Sequence, residues 1–413
     1  MINVVVAQNV GGENLHALSV LAIGALAFGL ASLALTRKAA KLSRIPIVAA
    51  LIGGGWMFFG VGLLLGPVGF HFLTSESITE LGPLLQLGLA WIGLLVGLQA
   101  KRAVMTEIPS VLWKWIAVDC AASVIIGVVI TGVTLIWIAP EATWGALCFP
   151  CMLIGCATIG WTAELRSLRG LDARSPRLGT LTQAGAGLAV IIAITIHGIV
   201  SLNTSVLADG TIALNPGWGS LGFIITLLVA GVCAMAMRLL LQRESWNDGR
   251  IIVSLIGTLA LIAGVATVLD GSPMFGACAL GVMIANMRSG AMRKLERVIT
   301  GSETAVASIF FLLAGAMVNP IVAWWPWIIA ALVLAFRVVF KVPTTRIFSG
   351  NTWIERGADS IHFATIRQAP IAIPLAIASQ LERADNVQSA MLLVLATVGV
   401  LSNVIPLLWR RQA

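Results

Sequence analysis

The sequence predicts an all-α polytopic membrane protein of about thirteen transmembrane helices, built as two inverted repeats with one broken helix in each. Three observations point there. Of the 413 residues, 58% are hydrophobic and only 11% are charged, and the mean hydropathy is +0.97. Apolar runs of about 20 residues, the length that crosses a ~30 Å hydrocarbon core as helix, recur along the chain. Two of these runs carry prolines at corresponding places in the two halves. Backbone groups in lipid need internal partners, so repeated runs of this length mean a helical bundle. A β-barrel would show short alternating segments instead.

The candidate spans run roughly 15–36, 45–66, 80–99, 112–138, 144–164, 178–201, 219–241, 251–269, 273–287, 303–319, 326–347, 360–380 and 388–408. Basic residues cluster in alternate loops: Arg37, Lys38, Lys41 and Arg44; Lys101, Arg102 and Lys114; Arg166, Arg169, Arg174 and Arg177; Arg288, Arg293, Lys294 and Arg297; then Arg410 and Arg411. The opposite loops carry one clear basic residue, Arg383. The positive-inside rule therefore predicts a cell-membrane protein with its N-terminus outside and its C-terminus in the cytoplasm. An odd number of spans requires the same. AWWPW at 323–327 reads as an outer aromatic belt.

The net charge of +8 thus reflects loop topology. No basic stretch has the aromatic interleaving of a nucleic-acid groove, so no nucleic acid is expected as partner. The first residues lack a basic n-region, so no cleaved signal peptide is expected. All six cysteines fall inside predicted spans. CFPC at 148–151 has redox spacing but no βαβ context, and reads as small packing residues. No loop is long enough for a soluble domain. The chain reads as a single transmembrane domain over 1–413, and a cytosolic regulatory subunit is expected only as a separate chain.

Irregular helices come next. Span five, TWGALCFPCMLIGCATIGWTAEL, carries Pro150, Gly155 and Gly160 around Ala157 and Thr158. Span twelve, SIHFATIRQAPIAIPLAIASQ, carries Pro370 and Pro374 just after Thr365, Arg367 and Gln368. Proline removes a backbone donor, so both should kink or unwind. Each is the fourth helix of its half, counting from spans two and nine. Interrupted segments in corresponding positions point to an inverted-repeat transporter with its site where the breaks meet.

On these segments the chain resembles the monovalent cation:proton antiporter superfamily, in particular its Kef-type branch. The resemblance runs from residue 45 onward: IPIVAALIGGGWMFFGVGLLLGPVGF, ITELGPLLQLGLAWIGLLVGLQ, DGSPMFGACALGVMIAN with Gly276 and Gly281, SIFFLLAGAMV with Phe310, Phe311 and Gly315, and ATIRQAPIAIPLA. It implies a sodium/proton antiporter-like fold and a homodimer. In that fold a core domain, here near 112–201 and 326–408, carries two crossing broken helices and moves against a panel of the remaining helices. Residues 1–44 hold an extra N-terminal helix.

The resemblance also marks departures. The family places an ion-binding aspartate in the span after the first broken helix. Here the matching text is Ala186-Gly187-Leu188-Ala189-Val190, and Gly187 stands in the aspartate's place. Counting from Arg177 at ~1.5 Å per residue puts it roughly 15 Å into the membrane. Arg367 matches the family's arginine in the second broken helix, but Gln368, Ala369 and Pro370 follow it and the family's acid is gone. Arg337, in LVLAFRVVFK, matches a family basic position.

An arginine at that depth costs about 3 kcal/mol on insertion scales, so it should face the bundle interior and have a partner. Asp119, in WIAVDCAAS, is the one carboxylate placed clearly inside a span. We expect an Asp119–Arg337 pair. The alternative has Asp119 reaching inner-face water near Lys114, with Arg337 on carbonyls at the breaks or on a substrate. Gln183, one turn before Gly187, and Thr158, at the first break, are weaker candidates to line the site beside Gln368. A hydroxyl such as that of Thr158 commonly bonds its own helix. His197 and His362 lie near opposite membrane edges, and Glu164 and Glu303 near the inner boundary.

The function expected is secondary active transport: proton-coupled exchange of a monovalent cation or other small solute by alternating access. One alternative uses Arg337 and Arg367 with positive half-helix ends to carry an anionic or zwitterionic solute. Another is a non-transporting membrane sensor or partner subunit. The chain has no HExxH, no P-loop and no acid–histidine constellation at one depth, so it is not expected to be an enzyme. No metal site or cofactor is expected.

Overall fold

The computed structural model describes residues 29, 55–70, 73, 81–138, 144–160, 176–206, 212–241, 248–287, 295, 299, 302–318, 323–344, 365–382 and 386–409. The first predicted span lies outside these residues except for Gly29, as do most of the basic loops. The described residues form thirteen helices: α1 (Trp56–Leu65), α2 (Gly82–Leu98), α3 (Arg102–Met105), α4 (Ser110–Ile138), α5 (Trp144–Ile159), α6 (Pro176–Leu202), α7 (Pro216–Leu241), α8 (Asp248–Val268), α9 (Pro273–Ala285), α10 (Glu303–Met317), α11 (Trp325–Val339), α12 (Ala372–Glu382) and α13 (Asn386–Trp409). Six of them, α4, α6, α7, α8, α11 and α13, are long and apolar enough to cross a membrane. The loop expected between spans six and seven contains two short antiparallel strands, β1 (Thr204–Val206) and β2 (Ile212–Leu214), in the register Ser205↔Ala213.

Prolines recur at helix starts. Pro176, Pro216 and Pro273 open α6, α7 and α9. There the missing N–H is one that has no intrahelical partner anyway, and the fixed φ suits the first turn.

The chain divides into two compact units. One holds residues 1–85 and 304–319; the other holds 86–303 and 320–413. In the first, α1 and α10 touch backbone to backbone. A Cβ added at Gly62 would strike the Leu312 carbonyl, and one at Gly315 the Phe59 carbonyl. Trp56 meets Phe311 edge-on at 4.8 Å.

In the second unit, α2, α7, α8 and α9 share an apolar core that includes Leu94, Ala230, Leu259, Ala277 and Leu280. Helices α4, α5, α11, α12 and α13 pack together elsewhere in it, and α6 touches both groups. Helix α4 is apolar outside and polar inside. Ile125, Val129, Val133 and Trp137 are exposed, whereas Asp119, Ser123, Thr131 and Thr134 are buried. A bilayer selects this arrangement, since lipid solvates the apolar face and the polar groups must find protein. Small residues set the α4–α5 distance: a Cβ on Gly127 would lie 2.7 Å from the Gly155 Cα.

Both spans leave the helical path where the sequence reading had their breaks, the first beside Thr158 and not at Pro150 itself. Pro150 lies inside α5, which runs on to Ile159 and stops before Gly160. In span twelve the helix is lost over 367–371 and restarts at Ala372. Pro370 sits in the break. Pro374 falls in the first turn of α12, where it removes no helical bond.

The α4–α5 contact yields a test. Gly127→Val should destabilise the protein by roughly 1–3 kcal/mol through overpacking, read as a lowered thermal midpoint in detergent. Gly257→Ala, where an added methyl meets nothing within 4 Å, should not lower it. Equal midpoints for the two variants would contradict the close approach.

Candidate functional site: the crossing of two interrupted helices

Where a helix stops inside a bundle, its last carbonyls lose their partners and need donors from elsewhere. The end of α5 meets the break of 367–371 directly: the Ala369 N–H donates to the Gly160 carbonyl at 3.2 Å. The Gln368 N–H donates to Ser402 Oγ on α13 at 3.1 Å, and its Nε2 to the Ala157 carbonyl at 3.5 Å.

Arg337 holds this crossing. It is fully buried on α11. Its Nε donates to the Ile366 carbonyl at 2.9 Å, Nη1 to Thr158 at 2.8 Å, and Nη2 to Arg367 at 2.8 Å, Gly160 at 3.1 Å and Thr365 at 3.4 Å. The planar fork thus spans both interrupted helices, which a point-like ammonium could not do. Its charge also sits at the C-terminal end of α5, where the helix dipole favours a cation.

The expected Asp119–Arg337 ion pair is therefore corrected. Asp119 is 2% exposed, and its Oδ2 accepts from Lys341 Nζ at 3.0 Å. The carbonyls at the breaks take Arg337, as the alternative reading had it. Lys341 also donates to the Ile159 carbonyl at 3.3 Å, so the ion pair is fastened to the first break. Sequence reasoning passed over Lys341, although it ends LVLAFRVVFK inside the same predicted span. Its spacing of four from Arg337 was the available signal, since residues four apart share a helix face. The helical turn resumes over 341–344 after a turn at Phe340, which keeps the two cations neighbours.

The other expected residues are distributed as follows. Thr158 is buried, with its hydroxyl within hydrogen-bond distance of the Gly155 carbonyl at 2.8 Å and the Ser123 carbonyl at 3.2 Å. Arg367 and Gln368 are buried in the second break. Gly187 is buried on α6, where an added Cβ would lie 2.9 Å from Gln99 Oε1. Val190, three residues on, reaches the crossing: its Cγ2 would be 3.6 Å from a Cβ at Gly160. Gln183 is exposed. His197 is buried with its ring 5.7 Å from Phe149. His362, Glu164 and the side chain of Glu303 lie outside the described residues. Among the described residues no cluster of three or more His, Cys, Asp or Glu could hold a metal ion.

The comparisons with known proteins follow from this architecture. The family model described as sodium/hydrogen exchanger, transmembrane, matches residues 28–410. The chain belongs to that family. This exchanger-family protein is a multi-pass membrane transporter and not an enzyme. Its fold is similar to that of the sodium proton antiporter MjNhaP1 from Methanocaldococcus jannaschii at pH 8, with a TM-score of 0.64 and 14% identity. That match covers 96% of this chain and 97% of the other. No curated protein sequence matches the exchanger-family chain significantly.

A double-mutant cycle tests the ion pair. Asp119→Asn or Lys341→Met alone leaves a buried charge without its partner and should destabilise by roughly 3–5 kcal/mol. The double variant should be more stable than either single variant, whereas additive losses would show that the pair does not interact.

Proposed function

We propose that this protein exchanges a monovalent cation for protons by alternating access, with Asp119 as the carboxylate for which the two compete. The observation that carries this reading is the buried Asp119–Lys341 pair bonded to the carbonyl of Ile159 at the first break. An intramembrane ionisable residue is by default a candidate for an ion or proton pathway. Lys341 serves as a tethered cation that holds the site when substrate is absent. A proton or an alkali cation arriving at Asp119 displaces it. The narrower Kef-type assignment, with Gly187 in the position of the family's aspartate, belongs to the same proposal and rests on the resembling segments. The outward N-terminus rests on the alternating basic loops, and homodimeric assembly on the family resemblance.

The anion-carrying alternative draws less support. Every nitrogen of Arg337 is committed to backbone carbonyls, so its guanidinium is not open to a substrate anion.

The test is proton flux in proteoliposomes holding an imposed pH gradient, challenged in turn with Na⁺, Li⁺ and K⁺ as salts of an impermeant anion. The wild type should collapse the gradient on addition of at least one cation. Asp119→Asn, and the double variant with Lys341→Met, should lose the response by ~100-fold, the effect of removing the group that carries the coupled charge. No response from the wild type to any cation would overturn the reading and send the search to organic anions. Wild-type rates in Asp119→Asn would remove Asp119 from the mechanism.

A further inference from the structure

Buried and half-buried threonine hydroxyls on the described helices are generally spent on their own backbone. Thr134, Thr195, Thr226, Thr258 and Thr344 each donate to the carbonyl four residues earlier, at 2.7–2.9 Å. This is the usual outcome for a hydroxyl in an apolar helix. Ser123 and Thr131 on α4 depart from it, and Ser123 is the one beside Asp119. The residue is fully buried on α4, and among the described residues its Oγ has no hydrogen-bond partner.

Ser123 is one turn beyond Asp119 on the same buried face. Residues four apart on a helix have their Cβ atoms about 5–6 Å from each other. The second carboxylate oxygen, Asp119 Oδ1, is also buried and also without a partner among the described residues. So is Gln368 Oε1, contributed by the second break. Three consecutive residues at the end of α5 are bonded to the residues that carry these groups or to their partner. Gln368 bonds the Ala157 carbonyl, Thr158 bonds the Ser123 carbonyl, and Lys341, on the other oxygen of Asp119, bonds the Ile159 carbonyl.

An unsatisfied buried oxygen is costly, and each instance calls for an explanation. Three on residues tied to one short stretch have a common explanation in service as ligands. One carboxylate with neutral hydroxyl and amide oxygens suits a hard monovalent cation. A divalent ion would call for more carboxylates.

We propose that Ser123 Oγ is a cation ligand of the transport site, acting beside Asp119 Oδ1 and Gln368 Oε1 on a dehydrated alkali cation. The inference rests on the proposed exchange at Asp119 and adds its ligand set. Lys341 on Oδ2 and the cation on Oδ1 then approach one carboxylate from its two oxygens. That arrangement lets an arriving cation weaken the Lys341 bond before the ammonium leaves.

The test is the cation dependence of exchange in proteoliposomes for Ser123→Ala, Ser123→Cys and Thr131→Ala, using the cation to which the wild type responds. Ser123→Ala should raise the cation KM about tenfold, the size expected for a single lost polar contact, with maximal rate within about twofold of wild type and no fall in thermal midpoint. Ser123→Cys keeps the volume but offers sulfur, a poor donor to a hard cation, and should raise KM similarly. Thr131 is also fully buried on α4, with no partner for its Oγ1 among the described residues, but lies two turns beyond Ser123. Its alanine variant should keep the wild-type KM.

A structural role for Ser123 would lower the midpoint or the maximal rate and leave KM alone, and that pattern overturns the inference. Wild-type KM in both Ser123 variants, with exchange lost in the Asp119→Asn/Lys341→Met double variant, also overturns it while leaving the proposed function standing. Wild-type exchange in that double variant would remove the proposed function itself, and the ligand set with it.

Discussion

Five backbone carbonyls from two interrupted helices converge on the guanidinium of Arg337. The rest of the core depends on that contact. A helix that stops in the interior of a bundle exposes carbonyls with no water to bond them, and each unsatisfied one costs about 1–3 kcal/mol. Placing an arginine at this depth costs about 3 kcal/mol on insertion scales. Gly160 also accepts from Ala369, but the carbonyls of Thr158, Ile366 and Arg367 would together cost at least as much, so the arginine is held at little net cost. The crossing in turn fixes Gln368 against α13 and sets the end of α5 against α4.

The second cation does a different job. Lys341 lies one turn along from Arg337 and shares the surroundings of the first break, but its strongest contact is a carboxylate. Arg337 is bound to groups that cannot titrate or leave, and Lys341 to one that can. On the proposed mechanism that division separates scaffold from site: one basic side chain holds the geometry while the other is exchangeable. Competition at a single carboxylate between a tethered ammonium, a proton and a solvated cation is sufficient for coupling, provided the site opens to only one side at a time. The helices around it can supply the rigid surroundings. Gly127 against Gly155 sets the α4–α5 distance at backbone contact.

Much of this was legible in sequence. The apolar runs marked the helices, because length and hydropathy are local properties. Asp119 stood out as a carboxylate among apolar residues, and Arg337 as a charge too deep to lack a partner. The pairing between them was less accessible. Arg337 and Lys341 share a face, and nothing local says which of them reaches across to α4. The answer depends on where α5 ends. Proline alone did not locate that end: Pro150 is absorbed within α5, as membrane helices can do when neighbours satisfy the freed carbonyl, and the helix ends at Ile159, beside Thr158, where the sequence reading had the first break. An end there puts the carbonyls of Thr158 and Gly160 on Arg337 and leaves Asp119 to Lys341. The openness of Ser123 was not legible at all, since its residue type predicts a bond to its own helix.

The central claim is that Asp119 takes a proton and a cation in turn. Modification by a lipid-soluble carbodiimide tests it most directly, since that reagent attacks protonated carboxyl groups in apolar surroundings and mass spectrometry locates the adduct. The account predicts an adduct on Asp119 that diminishes as pH rises and, at fixed pH, as the transported cation is added. An unmodified Asp119 beside a modified carboxylate elsewhere, or an adduct on Asp119 indifferent to every alkali cation, would contradict it.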